Sequence, residues 1–390
     1  MIMDRAKEIE LLAQCLELTR DKRPFVADGE GLIPVADYLD PTMYEQERDQ
    51  LLRRSMNIVA HSSQLPDSGD FITRDLLGTP ILIVRQRDGS ARAFLNVCRH
   101  RGATVESRDS GSCKRFTCPY HAWTYETDGS LAAVRHAEGF PSLDIDNTRL
   151  AELSAFEAAG LVWVCPDPAV TDGRPDEATR ALSAELERFN SPDSVVFAKD
   201  SKIWNANWKL IADGGLESYH FRILHRDTIA SFFTDNISTF ELLGDHIRTI
   251  LPRRSIVELA EQPQSEWDIR EHTHIVYFVA PNATILVQEH HFELILTTPL
   301  SIDQTRVDLM TVVPKPGAQG FGEKAQNFWE LNHDFTKKTL YEDFAIAEKI
   351  QEGMHTGANE FFRFATFEGA LTQWHRRLDA RLGRSSRDRR

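Results

Sequence analysis

Apolar residues recur at two different spacings along this chain. Residues 1–24 place leucine and isoleucine near helical spacing among charged residues, which predicts an amphipathic helix. Residues 43–59 carry a similar pattern and predict a second helix, which would end before Pro66 and Gly69. From Phe71 the apolar runs become short and rich in β-branched residues, so strands are expected there.

The strand-like runs continue to residue 168. The runs at 80–84 and 93–97 flank Asp88-Gly89, a pair that is typical of a hairpin turn. A last run lies at 160–164. We therefore predict an all-β domain at 37–168. The residues before it, 1–36, are expected to form a helical segment that packs on the domain following the β domain.

A second, larger domain is predicted at 169–380. It would begin with a polar helix within 171–188 and end with helical spacing after residue 320. Between them are five runs with the period and β-branched content of an antiparallel sheet, at 247–251, 274–279, 284–287, 292–297 and 307–313. The tail, 381–390, is expected to be disordered. The fold class is thus α+β, with an all-β domain followed by an antiparallel sheet flanked by helices.

Composition narrows the class of protein. The chain has 390 residues, enough for two domains with their own cores, and its net charge of −14 argues against a nucleic-acid partner. It has no apolar run of about 18 residues and no signal-peptide core, so no membrane association is expected. Three of its five cysteines, Cys15, Cys113 and Cys165, have no disulfide-framework spacing, which favours a reducing, cytoplasmic location.

Four metal-binding side chains lie in one stretch, residues 98–125, which reads CRHRGATVESRDSGSCKRFTCPYHAWTY. Cys98 and His100 are two residues apart, Cys118 and His121 are three apart, and 17 residues lie between the pairs. Two thiolates and two imidazoles on two loops can hold one metal centre. Ligand identity leaves two candidates open, a structural zinc ion and a two-iron cluster with cysteines on one iron and histidines on the other.

A second candidate metal site lies in residues 207–225, NWKLIADGGLESYHFRILH. On an ideal helix Asp213, Glu217 and His220 occur at i, i+4 and i+7 and share one face. His225 lies roughly 140° around the helix from His220, so both imidazoles can bind one metal only if the helix widens or ends between them. Two histidines with one carboxylate form the facial arrangement of non-haem Fe(II) oxygenases.

The first stretch resembles the Rieske cluster motif, in the form found in the alpha subunits of ring-hydroxylating oxygenases. The resemblance rests on CxHRG followed by CPYHAWTY, and together these two halves are highly specific. It implies that the all-β domain is a Rieske domain. It also implies that Cys98, His100, Cys118 and His121 bind a 2Fe–2S cluster.

The second stretch resembles the catalytic motif of the same family, NWK followed by an acid, two residues, a histidine and a second histidine five residues further on. The resemblance implies that the larger domain is catalytic and binds mononuclear Fe(II) through His220 and His225. The third ligand in the family is an aspartate in a C-terminal segment that EDFAIAEKIQEG resembles. This match favours Asp343 over Asp334 and Glu342.

The resemblance also assigns the two acids of the motif. Glu217 takes the place of the carboxylate that links the cluster to the iron, and Glu217 and Asp213 are the predicted catalytic residues. The chain departs from the family at Asp213-Gly214, where many members have Glu-Asn. At the linking position Asp is commoner than Glu, and Glu also occurs among members that act on non-aromatic amines.

The function implied by the resemblance is the oxygenase component of a Rieske non-haem iron system. Such an enzyme takes electrons from a separate reductase or ferredoxin and uses O₂ to hydroxylate, cis-dihydroxylate or demethylate an aromatic or other small organic substrate. It works as a head-to-tail homotrimer, with or without a small beta subunit, in which His121 of one subunit hydrogen-bonds to Glu217 of the next. The alternative is an electron-transfer protein whose downstream half only supports the cluster.

The substrate pocket is expected to come from residues 210–300 and 350–370. Four further histidines lie on or beside the predicted strands, and we expect them to be partly exposed rather than part of the pocket. They are His272, His274, His290 and His291.

Overall fold

A computed structural model describes residues 3–27, 29–189, 194–315 and 325–384. The chain divides into two compact units. Leu52–Pro175 form the small unit, and Met1–Leu51 together with Asp176–Arg390 form the large unit. None of the helices in the described residues is long and apolar enough to cross a membrane. The predicted domain at 37–168 begins 15 residues before the small unit and ends seven residues before the end of that unit, and the limits at 37–168 and 169–380 stay predictions.

The small unit is built from short antiparallel strands. They are β2 Asn57–His61, β3 Asp70–Leu76, β4 Thr79–Arg85, β5 Ala91–Leu95, β6 Ser110–Ser112, β7 Arg115–Thr117, β8 Thr124–Glu126, β9 Leu131–Ala133, β10 Glu152–Leu153, β11 Ala155–Ala158 and β12 Leu161–Val164. The strand orders are β10-β5-β4-β3-β6, β11-β12-β2 and β7-β8-β9. Aromatic side chains such as Phe71, Phe94 and Phe116 form a buried core, which also contains the two motif cysteines, Cys98 and Cys118.

The large unit is built around one antiparallel sheet with the strand order β13-β19-β18-β17-β16-β15-β14. Its strands are β13 Ser194–Trp204, β14 Thr239–Leu243, β15 His246–Pro252, β16 Thr273–Val279, β17 Ala283–Val287, β18 Phe292–Ser301 and β19 Gln304–Pro314. A separate pair is formed by β1 Gly31–Pro34 and β20 Phe361–Phe364.

Helices surround this sheet. They are α1 Arg5–Asp21, α2 Ala36–Leu39, α3 Pro41–Gln46, α4 Glu177–Leu186, α5 Trp208–Gly214, α6 Phe221–Leu224, α7 Ile269–His272, α8 Ala325–Met354 and α9 Gly369–Arg381. The long helix α8 contacts α5, β13 and β19, whereas α1 contacts β15. The carboxylate of Asp4 caps α1 by accepting a hydrogen bond from the Lys7 N–H, 2.9 Å away.

Most of the predicted elements are confirmed. The N-terminal helix is α1, the polar helix is α4, the C-terminal helix is α8, and all five predicted strands of the larger domain belong to one sheet. The α+β class is therefore confirmed. The predicted disordered tail at 381–390 begins too early, because Arg381 is the last residue of α9, and residues 385–390 lie outside the described residues.

The predicted helix at 43–59 is wrong in its second half. The chain is helical through α3 and a π-helical turn, Glu47–Leu52, and then enters β2 at Asn57. The Asn57 side-chain amide donates to the Leu52 and Ser55 carbonyls, which ends the helix. Ile58 and Val59 are buried in the strand, where β-branched side chains pack better than in a helix.

Two candidate metal centres

The first candidate centre is formed by two loops of the small unit that share one backbone conformation. In the first loop the Cys98 N–H donates to the Ala103 carbonyl at 2.8 Å, and in the second the Cys118 N–H donates to the Trp123 carbonyl at 2.8 Å. Each loop therefore turns back within five residues of its cysteine. The sequence pattern predicted the two pairs of ligands but not that their loops would be equivalent.

The side chains of these loops meet in two pairs. Nδ1 of His100 lies 3.1 Å from Nδ1 of His121. Burial raises the pKa of the Cys118 thiol, and the adjacent Cys98, with which it forms a hydrogen bond, raises it further. The predicted ligands thus lie as a thiol pair and an imidazole pair.

This pairing fits a two-iron cluster better than a zinc ion. A zinc ion with bonds of about 2.0–2.3 Å draws its four ligand atoms to within roughly 4 Å of one another. Among the described residues, no three of these four donors lie within 4.8 Å of one another. A two-iron cluster with cysteines on one iron and histidines on the other requires two separate pairs of donors.

Aromatic residues hold both pairs in place. The Tyr125 hydroxyl accepts a hydrogen bond from the Arg99 N–H at 2.9 Å and lies 3.3 Å from the Cys98 sulfur. The His100 ring stacks on Trp123 at a centroid distance of 5.0 Å and an angle of 7°. Sequence reasoning missed these two roles, although Trp123 and Tyr125 both belong to the motif. His121 itself lies near the surface, next to Tyr120, which is 55% exposed.

The second candidate centre lies in the large unit, where the helix of the second motif breaks. Helix α5 ends at Gly214, and the one-turn helix α6 begins after His220 and ends before His225. The prediction that Asp213, Glu217 and His220 share one helix face is therefore wrong, because two successive glycines end α5. We expected the two imidazoles to meet only if the helix widened or ended between them. This condition is fulfilled, because α6 is a single turn that ends before His225.

Both imidazoles face one aspartate. Oδ1 of Asp343, on α8, lies 3.3 Å from Nε2 of His220 and 2.9 Å from Nε2 of His225. One ligand atom from each of the three residues lies within 4.8 Å of the others. Ligands with bonds of roughly 2.1 Å lie about 3 Å apart at adjacent positions around one ion, so the spacing suits a single metal.

Each imidazole is backed by a second carboxylate on its other nitrogen. Nδ1 of His220 hydrogen-bonds to Glu217, and Nδ1 of His225 lies 2.8 Å from Oε2 of Glu342. This arrangement turns both Nε2 atoms toward Asp343 and fixes the tautomer that a metal needs. The sequence offers Glu342 only as an alternative ligand and does not indicate this supporting role. Adjacent residues on a helix point about 100° apart, so Glu342 reaches the back of one imidazole while Asp343 faces the front.

Charge at this centre suits a cation. Burial lowers the pKa of His220, but the carboxylates of Asp343 and Glu217 beside it outweigh that effect and raise the pKa to about 10. The buried Nε2 atom of His220 makes no hydrogen bond to the described residues, although Asp343 lies near it. A positive ion bound between the three side chains would satisfy this atom and balance the carboxylates.

The remaining predicted acids lie elsewhere. Oδ2 of Asp213 accepts a hydrogen bond from the Tyr38 hydroxyl at 2.7 Å, and its Oδ1 lies 3.0 Å from Nε2 of His375. Asp213 therefore belongs to a buried polar cluster beside α5 and does not line the cavity described below. Asp334 pairs with Lys337 at 3.5 Å and is 73% exposed, so it is a surface charge.

A cavity of about 280 Å³ opens beside the second centre. Its lining includes the following residues: Gly214, Gly215, Glu217, Phe221, His225, Ile229, Phe232, Phe233, Thr249, Leu251, Arg253, His274, Val276, Leu286, Gln288, Asn332, Phe335, Thr336, Thr339, Leu340 and Asp343. The predicted lining from 210–300 is found, whereas the downstream part comes from α8 rather than from 350–370. His272 and His291 are buried, so they are not the partly exposed residues that we expected, whereas His274 is partly exposed, as expected, but lines the cavity.

Two family models match the chain. Residues 55–144 match the model of the Rieske [2Fe-2S] domain, and residues 177–384 match that of the ring hydroxylating alpha subunit (catalytic domain). The first match contains the four donors of the small unit, and the second contains both histidines and the aspartate of the second centre. The two cofactors expected from the motifs, a 2Fe–2S cluster and a mononuclear iron, agree with these two families.

Among curated proteins, the chain is similar to the carnitine monooxygenase oxygenase subunit of Escherichia coli K12, with 38% identity over 191 residues, 48% of this chain and 50% of that protein. It is also similar to the biphenyl 2,3-dioxygenase subunit alpha of Rhodococcus jostii RHA1, with 31% identity over 51% of this chain and 46% of that protein. The chain spans about half the length of these curated relatives. Among solved structures, the quaternary ammonium Rieske monooxygenase CntA in complex with L-carnitine has the same fold, with a TM-score of 0.74 at 23% identity, over 96% of this chain and 98% of that one.

Proposed function

Because the chain belongs to the family of ring-hydroxylating alpha subunits, we propose that it is the oxygenase component of a Rieske non-haem iron system. Its reaction would insert oxygen from O₂ into a small organic substrate, by hydroxylation or by oxidative demethylation. The observation that carries the proposal is the convergence of His220, His225 and Asp343 at one end of a cavity.

The two centres would divide the chemistry. Cys98, His100, Cys118 and His121 would hold the 2Fe–2S cluster, and the convergent histidines and aspartate would hold Fe(II). When bound, the cluster supplies electrons one at a time, and the iron supplies the activation of O₂ beside the substrate.

The protein's own groups prepare the second centre for this task. Glu217 and Glu342 hold a proton on Nδ1 of each imidazole, so that Nε2 keeps its lone pair for a metal. Glu217 also accepts hydrogen bonds from the backbone N–H groups of Tyr219 and His220, which fixes the turn before α6. The cavity walls beside the centre are mainly apolar and would exclude water from a bound substrate.

The proposed partners follow from the accessible imidazole side of the small unit. His121 lies beside the exposed Tyr120, where a second protein could approach. We propose a head-to-tail homotrimer in which His121 of one subunit hydrogen-bonds to Glu217 of its neighbour, and a reductase or ferredoxin as the electron donor. The cytosol is the proposed location, because a reducing compartment keeps thiolate ligands available.

Iron and sulfide analysis tests the proposal against the rival function of electron transfer. We expect about three irons and about two acid-labile sulfides per chain, and substrate-dependent O₂ uptake with a surrogate reductase. The substrate panel should contain aromatic acids, arenes and methylated amines, including biphenyl and carnitine. About two irons per chain, with no O₂ uptake for any member of the panel, would assign the chain to electron transfer.

A further inference from the structure

Polar side chains lie next to one another at one end of the cavity floor, which is formed by β15, β16 and β17. Leu251 pairs with His274, and Ile275 pairs with Val287, so the next residue, Gln288, is the cross-strand neighbour of His274. His274 and Gln288 both line the cavity. Their side chains therefore occupy the same end of adjacent strands.

Arg253 extends this row. It lies two residues beyond Leu251, and alternate residues of a strand point to the same face of the sheet. Its N–H donates to the His272 carbonyl at 2.9 Å, so the pairing of β15 with β16 continues to this residue. Arg253 also lines the cavity, and it therefore joins His274 and Gln288 in what we call the polar row.

The polar row and the metal-binding side chains lie at opposite ends of the floor. Gly215 packs over Thr284, near the start of β17, and Gly214 packs against Asp343. Thr284 and Gln288 are four residues apart on one face, which corresponds to roughly 13 Å along an extended strand. The region between the two ends is apolar and contains Phe221, Phe233, Leu251, Val276 and Leu286.

The polar row has hydrogen-bonding capacity that the protein does not use. The Arg253 side chain is 25% exposed, and its Nη1 atom donates a long hydrogen bond of 3.4 Å to Glu289, whose side chain is 43% exposed. Nε2 of His274 is buried and has no hydrogen-bond partner in the described parts of the chain. The row thus presents the positive charge of Arg253 to the cavity, and the unpaired ring nitrogen of His274 is buried in the cavity wall.

Charge fixes the direction of a bound ligand. Burial lowers the pKa of His274 to about 3, and the nearby positive charge of Arg253 contributes, so the ring is neutral and Arg253 provides the charge of the row. The opposite end of the cavity carries the carboxylates of Glu217 and Asp343. A metal ion bound there would balance these carboxylates, so the positive charge of Arg253 is what attracts an anionic group to the polar row.

We infer that the substrate of this chain is a carboxylate with an apolar body, whose carboxyl group binds Arg253 beside His274 and Gln288 at the end of the cavity remote from the metal-binding side chains. Arginine presents parallel N–H donors that match the two oxygens of a carboxylate. The apolar body lies across Phe233 and Leu251. The inference rests on the proposed function, because it takes the cavity to be the substrate site.

Calorimetry on the iron-loaded protein under argon tests this inference without turnover. The probes are phenylacetate, 4-phenylbutanoate and 6-phenylhexanoate, each compared with its primary amide, which has the same shape and no charge. For at least one chain length we expect the acid to bind roughly 10- to 100-fold more tightly than the amide, because a charge-assisted hydrogen bond is lost with the charge. Arg253→Gln should abolish this preference, and Arg253→Lys should keep part of it.

Arg306→Gln is the matched control. Arg306 is 24% exposed and pairs with Asp308 at 3.3 Å, which closely resembles the situation of Arg253, but it does not line the cavity. This variant should keep the acid preference, and an unchanged amide affinity in Arg253→Gln would show that the cavity is intact. If the wild type binds no acid better than its amide, or if Arg253→Gln keeps the preference, the inference is overturned.

The outcome is separable from that of the proposed function. A preference for acids in a protein that never consumes O₂ would support the carboxylate site and contradict the oxygenase reaction. O₂ uptake with neutral substrates alone, together with equal binding of acids and amides, would support the oxygenase and contradict the carboxylate site.

Discussion

The two candidate centres are built on different scales. The donors of the small unit lie between positions 98 and 121, on two loops whose shape is set by hydrogen bonds within five residues. The centre of the large unit joins His220 and His225 to Asp343, which is more than a hundred positions further along the chain. The first is a local structure, whereas the second exists only when α8 packs on α5.

The surroundings of the donors differ in the same way. In the small unit aromatic rings support the donors, with His100 stacked on Trp123. In the large unit carboxylates support them, one behind each imidazole. The local centre depends on packing, and the assembled centre depends on buried charge. We therefore expect the two to respond differently to single substitutions.

The largest expected effect is the separate loss of either centre. Asp343→Ala removes one ligand of the assembled centre and should reduce the iron content from about three to about two per chain, with the cluster intact. Cys118→Ala should leave about one iron per chain, because a cluster with three ligands is not retained. Iron analysis and the visible absorption of the cluster measure both results.

Matched variants control for unspecific effects of these substitutions. Asp334→Ala removes an exposed aspartate of the same helix, and Cys113→Ala removes a partly buried cysteine near the same loops. Both should keep the full iron content. If Asp343→Ala lost the cluster as well, the two centres would not be independent, and the contrast between them would fail.

The next effect concerns Glu217 and separates iron binding from turnover. With Fe(II) supplied in excess, Glu217→Ala should have both centres filled and should still reduce substrate-dependent O₂ uptake by roughly 100-fold or more, because it removes the group behind His220 and the proposed link to a neighbouring subunit. Iron content and O₂ uptake should be measured on the same sample. A variant with the wild-type rate of uptake would contradict the linking role.

Glu342 supports the other imidazole, that of His225. Its loss should weaken iron binding but leave turnover intact once iron is bound. Glu342→Gln leaves a hydrogen-bonding group near Nδ1 of His225 but removes the charge, so the affinity for Fe(II) should fall by roughly 10- to 100-fold. Once iron is supplied in excess, the rate of O₂ uptake should recover. Competition with a chelator measures the affinity, and Glu217→Ala serves as the comparison, since its uptake should not recover with added iron.

The difference in scale also explains what the sequence could predict. Spacing alone revealed Cys98, His100, Cys118 and His121 as a set, because neighbours in the sequence stay neighbours in short loops. The partnership of His220 and His225 was predicted only on the condition that the helix widened or ended between them. The position where the helix ends depends on two glycines, and the helical pattern of the surrounding residues hides their effect.

Asp343 required the resemblance to a family, since an aspartate in a charged helix carries no local signal. The roles of Glu342 and His274 depend on how distant elements pack, and no spacing in the sequence reveals them.

The smallest expected effect tests whether the two loops of the small unit are equivalent. Gly102 and Ala122 occupy the same place, four residues after Cys98 and Cys118, and both have a left-handed backbone, with φ of 77° and 61°. Ala122 shows that a side chain is tolerated there. A Cβ atom at Gly102 would have Val97 as its nearest neighbour at 3.9 Å, so it would meet no steric barrier.

Gly102→Ala should therefore cost only the strain of the left-handed backbone, roughly 1–2 kcal/mol, and should keep the cluster. Chemical denaturation followed by the visible absorption of the cluster measures both quantities. The reverse change, Ala122→Gly, relieves the same strain but loosens the unfolded chain, so its effect on the free energy of unfolding should be smaller. Loss of the cluster in Gly102→Ala would mean that the first loop requires a glycine at this position, although the second loop has an alanine there. The two loops would then not be equivalent, in spite of their matching hydrogen bonds.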